Sequence, residues 1–287
     1  TPAANYNGAA PVVTYTVSDG TATATSTLAL TVSAVNDAPV NTLPAGWTTN
    51  EDTTVGITGL QISDVDAGTS TVRVTLSVPS GSLTGASGAG VTVTGSGTGT
   101  LVLEGSQASI NAYLASAARP NYVPVANFNG SVTLTMTTSD LGNTGTGGTL
   151  TDTDTATIGI ADVNDAPAGT DRTVTINEDG TYTFSAADFP ITDANDTPAH
   201  SLQSVVITTL PDAAQGVLRL NGVAVTAGQV IPVGSLGQLT FTPAANVNGA
   251  GIGAFTFQVV DSGGIANGGQ NTDQSPNTFS FNITAVN

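Results

Sequence analysis

Cysteine is absent from the 287-residue chain, so neither a disulfide nor a thiolate metal site can staple it. Lysine is absent too, which removes lysine-to-asparagine isopeptide crosslinks as a covalent brace. Positive charge is confined to Arg73, Arg119, Arg172 and Arg219, against 21 acidic residues, for a formal net charge of -17. Such a surface excludes nucleic acid as a partner, because phosphates are bound by neutralising them with Lys and Arg. A divalent cation is the natural counterpart. His200 is the single histidine, which excludes a zinc site built on histidines. No apolar run approaches the roughly 18 residues of a membrane helix, so no membrane insertion is expected. No signal peptide is visible either, as expected of a chain that starts inside a repeat.

What the chain has in quantity is Gly, Thr and Val, the composition of short strands joined by many turns. It is also self-similar. "TPAANYNG" (1 to 8) returns as "VPVANFNG" (123 to 130) and "TPAANVNG" (242 to 249), and each copy runs on into "VNDAP" (35 to 39), "VNDAP" (163 to 167) or a final "AVN" (285 to 287). Asn36 and Asn164 are 128 positions apart, and Asn164 and Asn287 are 123 apart. A period of that length is a whole domain, not a solenoid turn of roughly 20 to 50 residues. The front half of the unit, marked by "NED" at 50 to 52 and 177 to 179, occurs only twice. The expected division is therefore 1–37 as the back half of a repeat, then complete repeats at 38–165 and 166–287. The missing front strands are expected upstream in a longer parent or from another chain.

Within the units, "TVRVTLSV" (71 to 78), "SVTLTMTT" (131 to 138), "DTATIGIADV" (154 to 163), "SVVITTL" (204 to 210), "QLTFTP" (238 to 243), "AFTFQVV" (254 to 260) and "NTFSFNITAV" (277 to 286) alternate apolar with polar or small residues. A period of two buries one face of each strand, and the close spacing of Gly, Asn, Asp and Pro turns favours antiparallel sandwiches over a parallel sheet. The fold class expected is all-β: tandem antiparallel Greek-key β-sandwiches in a linear array, the first incomplete. One helix of one to three turns is expected in "SQASINAYLA" (106 to 115), with Ser106 as N-cap and Ile110, Tyr113 and Leu114 on one face. "GSGTGT" (95 to 100) opens no helix and reads as a hairpin turn, not a phosphate loop.

Acidic side chains concentrate in the loops. Glu51, Asp64 with Asp66, Asp140, and Asp162 with Asp165 belong to one unit; Glu178, Asp193 with Asn195 and Asp196, and Asp261 to the next. Calcium takes about six to eight oxygen ligands, and a D-x-D spacing lets one loop offer it two carboxylates. Carboxylates gathered in one place repel one another without such an ion. Asp19-Gly20 and the Asp152/Asp154 pair, by contrast, need no more than turn and edge chemistry.

The order of these motifs resembles the cadherin repeat: an early Glu51, the loop Asp64-Val65-Asp66-Ala67-Gly68, a later Asp140, and the linker Asp162-Val163-Asn164-Asp165-Ala166-Pro167. The cadherin D-R-E segment is absent, and Asn127, Asn129 and Gly130 stand in roughly its place; the next unit reads Asp193-Ala194-Asn195-Asp196 where a plain D-x-D is expected. A closer resemblance is to the cadherin-like tandem repeats of giant secreted bacterial proteins, RTX-type adhesins included. It implies calcium as cofactor at two junctions. At the first, Asp37, Asp64, Asp66 and Asp140 are the expected ligands. At the second they are Glu51 from the upstream unit, Asp162, Asp165 and the carbonyl of Asn164 from the linker, and Asp193, Asn195 and Asp261 downstream.

The expected role is a non-enzymatic extender or presenting segment of an extracellular adhesin or matrix protein. Its partners would be neighbouring repeats, with other copies of itself and a cell-surface glycan or protein as further candidates. His200 reads as a solvent-facing loop residue, and Glu51 and Glu178 occupy equivalent places in separate repeats, which suits a scaffold better than a catalyst. Two alternatives stay open: a calcium-dependent carbohydrate or peptide module with a pocket near Trp47, and a filament or sheath whose incomplete first domain is completed by strands of another copy.

Overall fold

The computed structural model describes residues 1–142 and 145–286. Asn287, which closes the last repeat copy in the sequence, lies outside the described residues. The chain divides into two compact units, Thr1–Ala161 and Asp162–Asn287.

The first unit is built on a six-stranded sheet in the order Thr92–Thr94, Thr100–Ser106, Thr71–Ser77, Gly130–Ser139, Thr151–Ala161, Gly46–Asn50. Its alternating sequences do what a period of two requires: Val72, Val74 and Leu76, then Val132, Leu134 and Met136, then Ala156, Ile158 and Ile160 all point to one interior. A three-stranded sheet of Ser82–Thr84, Asn121–Val123 and Val55–Gly56 contributes Leu83 and Tyr122 to the same core. The expected helix is present as Gln107–Ala115. Ser106 caps it by accepting the Ser109 N–H at 3.2 Å, and Ile110, Tyr113 and Leu114 are its buried face. The 95 to 100 stretch is the turn of the hairpin joining Thr92–Thr94 to Thr100–Ser106. Trp47 is buried in the core with its Nε1 donating to the Thr58 carbonyl, so its ring is not available to stack on a sugar.

The second unit repeats the plan with a five-stranded sheet in the order Arg172–Asn177, Asn277–Thr284, Gly249–Asp261, Leu202–Ile207, Gln229–Pro232, and a four-stranded sheet of Tyr182–Thr183, Leu239–Pro243, Gly216–Leu220 and Val223–Ala224. Its interior is aromatic: Phe184, Phe189, Phe241, Phe255, Phe257, Phe279 and Phe281 are all buried, and Phe241 stacks on Phe281 with ring centroids 4.1 Å apart.

One pairing in each unit departs from the antiparallel expectation. Gly46–Asn50 runs parallel to the end of Thr151–Ala161, and Arg172–Asn177 runs parallel to Asn277–Thr284. In each case an early strand and the last strand of the folded repeat thus lie side by side in the same direction, with the intervening domain as their crossover. Alternation alone carries no strand direction.

Residues 1 to 32 are different. Val13–Ser18 and Thr23–Leu28 form a hairpin, closed by Asp19 accepting the N–H groups of Thr21 and Ala22, and every residue of both strands is exposed. In the two full sheets the matching strand pair is flanked by a strand on each side; here, among the described residues, the pair stands alone.

Candidate metal centre

The VNDAP segment is a backbone knot, and it is tied the same way twice. In the second unit Asn164 is buried and its side-chain amide donates to Asp261 Oδ1 and Oδ2 at 3.2 and 3.3 Å and to the carbonyls of Gly264 and Gln270. Its own carbonyl accepts the Gln270 N–H at 2.7 Å. In the first unit Asn36 makes the equivalent contacts, with Asp140 and with the Gly148 carbonyl. The next residue closes the knot from the other side. The Asp165 N–H donates to Asp196, at 3.1 Å to Oδ2, as the Asp37 N–H donates to Asp66 Oδ2 at 3.0 Å. Proline at 39 and 167 then enters the first strand without an N–H to satisfy.

Asp140 and Asp261 are consequently anchors for the linker. Asp140 Oδ1 accepts the N–H groups of Gly142 and Leu150 at 2.8 and 2.9 Å. Burial alone would raise its pKa, but these donors and the Asn36 amide together hold it below the ordinary carboxylate range. Asp261 is fully buried and also accepts the Gly263 N–H at 2.8 Å.

A second kind of carboxylate lies in the loops that receive the Asp37 and Asp165 N–H groups. In loop 64 to 68, Asp64 Oδ1 accepts the N–H groups of Asp66 and Ala67, while Asp64 Oδ2 and Asp66 Oδ1 are buried with no hydrogen-bond partner. Burial first, and then the adjoining Asp66 carboxylate, raise the Asp64 pKa. In the second unit the corresponding pair is Asp193 and Asp196. Burial, and then Asp193, push Asp196 up to about 7. Asn195, the residue expected beside Asp193, is exposed, and Asp196 takes the inward position because this loop carries one residue more than Asp64-Val65-Asp66.

His200 corrects the expectation of a solvent-facing side chain. Its N–H donates to Asp193 Oδ2 at 2.6 Å, folding the loop back, and its ring is only 23% exposed. The spacing Asp193, Asp196, His200 was the available signal, but the return of the loop that gives it meaning is not visible in a sequence.

The remaining expected ligands fall at the linker ends. Asp37 and Asp162 are exposed and Asp165 is half-buried. Glu51 is buried, and its N–H donates to the Ala161 carbonyl at 2.9 Å, as the Glu178 N–H does to Thr284. Both glutamates therefore sit where the last strand of their unit leaves the sheet. The Asn-x-Asn-Gly element is a tight turn: Asn5, Asn127 and Asn246 have φ of 59°, 54° and 60°, the left-handed conformation that Asn tolerates. It meets the NED loop through the Asn127 N–H on Asp52 Oδ1 in one unit and Asn248 Nδ2 on Glu178 in the other.

Comparison with known proteins bears on the fold. The Bacterial Ig domain family matches residues 164–274. No curated protein matches the chain. Among solved structures, protocadherin gamma B2 extracellular cadherin domains 1-5 superposes with a TM-score of 0.51 at 14% identity, covering 98% of this chain and 46% of that one. Mouse cadherin-23 EC22-24 gives 0.45 at 14% identity, covering 96% and 74%, and an endo-fucoidan hydrolase from glycoside hydrolase family 107 gives 0.25 at 17% identity, covering 96% and 34%. The chain thus spans less than half of the protocadherin structure, and that likeness carries fold alone. The fold is an all-β sandwich of the cadherin and immunoglobulin-like kind. Among the described residues no helix is long and apolar enough to cross a membrane.

Proposed function

We propose that this chain is a structural segment of an extracellular bacterial surface protein, its cadherin-like repeats stiffened by calcium at the loops beside each linker. The observation that carries the reading is the pair of buried carboxylate oxygens, Asp64 Oδ2 and Asp66 Oδ1, which have no hydrogen-bond donor in a loop that also receives the linker N–H of Asp37. Two half-buried carboxylates side by side, each with a buried oxygen that no donor reaches, are costly unless a cation neutralises them, and an all-oxygen set is the calcium preference. Asp37 and Asp140 are proposed alongside them at the first linker. Glu51, Asp162, Asn164, Asp165, Asp193, Asn195 and Asp261 are proposed at the second, with Asp140 and Asp261 holding the linker in place by their hydrogen bonds. Bound calcium supplies charge neutralisation and cross-linking of loop to linker. No catalysis is proposed: Glu51 and Glu178 occupy the same structural place twice. Repeats of this order in giant secreted proteins of the RTX-adhesin type motivate the setting, with biofilm matrix or cell adhesion as its biology. Calorimetric calcium titration of the chelator-treated chain tests the reading. Saturable binding whose first-linker part is lost in Asp64→Asn/Asp66→Asn supports it, and the same heat from wild type and double variant refutes it.

A second reading is favoured by the lone hairpin. Val13 and Val17 are 57% and 60% exposed, although they belong to strands whose counterparts are flanked on both sides. We read residues 1–37 as the back half of a repeat, with 38–165 and 166–287 as whole ones. Its apolar face would be covered by a front half, from upstream in a parent chain or from another copy of this one. Light scattering at several concentrations separates the two sources: growth with concentration indicates completion between copies, and a constant monomer mass rules it out.

A further inference from the structure

The acidic loop of the second unit differs in donor chemistry from that of the first. Asp193 and Asp196 side chains are 2% and 0% exposed, and His200 Nδ1 stands 3.4 Å from Asp193 Oδ2 and 3.8 Å from Asp196 Oδ2. One ligand atom from each of the three residues lies within 4.8 Å of the others. His200 Nδ1 and Asp193 Oδ1 are both buried without a hydrogen-bond partner. A fourth atom joins them. The Asn164 amide turns its Nδ2 toward Asp261 and two carbonyls, which aims the unpartnered Oδ1 the opposite way. A Cβ on Gly263 would come within 1.7 Å of Asn164 Oδ1 and 2.6 Å of His200 Nδ1, so both atoms border one small space that only glycine leaves open.

We propose that this cluster is a binding site for a first-row transition dication of the zinc type, held by Asp193, Asp196, His200 Nδ1 and Asn164 Oδ1. Calcium takes oxygen ligands, whereas an imidazole nitrogen suits zinc, cobalt or nickel. Tetrahedral ligands about 2.0 to 2.2 Å from zinc stand roughly 3.3 to 3.6 Å apart, close to the separations found here. Both inner carboxylates are already oriented by backbone donors, Asp193 by His200 N–H and Asp196 by Asp165 N–H, the outer support that metal ligands require. Loop 64 to 68 has no histidine, so the two units would prefer different ions. The assignment concerns the second unit, where it shares Asp193 and Asn164 with the calcium set proposed at that linker so that the two ions compete there, and it does not depend on calcium binding in the first.

The test is titration of the chelator-treated full chain with zinc, and with Co(II) as a spectroscopic probe, in a background of millimolar calcium. One equivalent of zinc should bind, Co(II) should give a visible ligand-field band, and His200→Ala should weaken zinc by at least about 10-fold while the calcium response stays. His200→Asn, which keeps size and polarity, guards against misfolding and should show the same selective loss. Absence of one-equivalent zinc binding, wild-type zinc affinity in either variant, or loss of calcium response together with zinc would overturn the assignment. Asp64→Asn/Asp66→Asn separates the two claims, since it should abolish the calcium response of the first unit and leave zinc unchanged.

Discussion

The two units reach one strand plan through different interiors. The first packs aliphatic strand faces against a nine-residue helix, whereas the second has seven buried phenylalanines and, among the described residues, only short 3-10 turns. What they share is the alternation of their strands, one parallel edge pairing, and the asparagine knot at the linker. Topology therefore follows from pairing and from a few polar anchors, and different apolar sets of the right volume fill the core.

The largest effects should come from the interiors. Phe281→Ala removes a fully buried ring stacked on Phe241 and should cost about 3 to 5 kcal/mol, and Ile158→Ala about 2 to 5 kcal/mol in the first unit. Denaturant unfolding should show each loss in the transition of its own unit, and a shift of both transitions by either variant would break the comparison. Next come the knots. Asn164→Ala and Asn36→Ala each deprive a buried aspartate of its amide donor and should cost roughly 1 to 3 kcal/mol, equally in the two units. A large cost in one unit and none in the other would show that the shared geometry is not shared energetics.

The strands, the Ser106-capped helix and the repeat were legible from sequence because each has a local signal: alternation, a cap followed by i, i+3, i+4 spacing, or plain recurrence. The candidate centre was legible only in outline. Asp64 and Asp66 meet as a D-x-D spacing implies, but one additional loop residue in the second unit puts Asp196 where Asn195 was expected. Asp140 and Asp261 were found by their order in the motif, yet their hydrogen bonds come from backbone N–H groups and an asparagine across the fold, which no local pattern reveals. The parallel pairings were missed because a strand's sequence does not encode its direction.

Smaller effects test the loops. Asp196, with an ordinary value of 3.8, is pushed up to about 7, and Asp64 is raised as well. A carboxyl that holds its proton more tightly when folded favours the folded state at low pH, and that contribution is lost as pH rises from about 4 to about 7. In chelator, stability should therefore fall across this window, with the greater part of the fall removed by Asp196→Asn. A flat profile would contradict the crowding of the two pairs. Smallest of all, Asn195→Ala should leave stability in chelator within about 0.5 kcal/mol, since the side chain is exposed, and should weaken only the calcium binding proposed at the second linker.

The most direct test of the central claim is thermal unfolding in chelator and across calcium up to millimolar, with magnesium as control. For a site with Kd of about 0.1 mM, 5 mM calcium should stabilise the folded form by about 2 kcal/mol. The account predicts a calcium-specific rise in midpoint of roughly 5 to 10 °C, absent from the first unit in Asp64→Asn/Asp66→Asn. An unchanged midpoint, or an equal rise with magnesium, would contradict it and leave the VNDAP segment as a hydrogen-bonded linker alone.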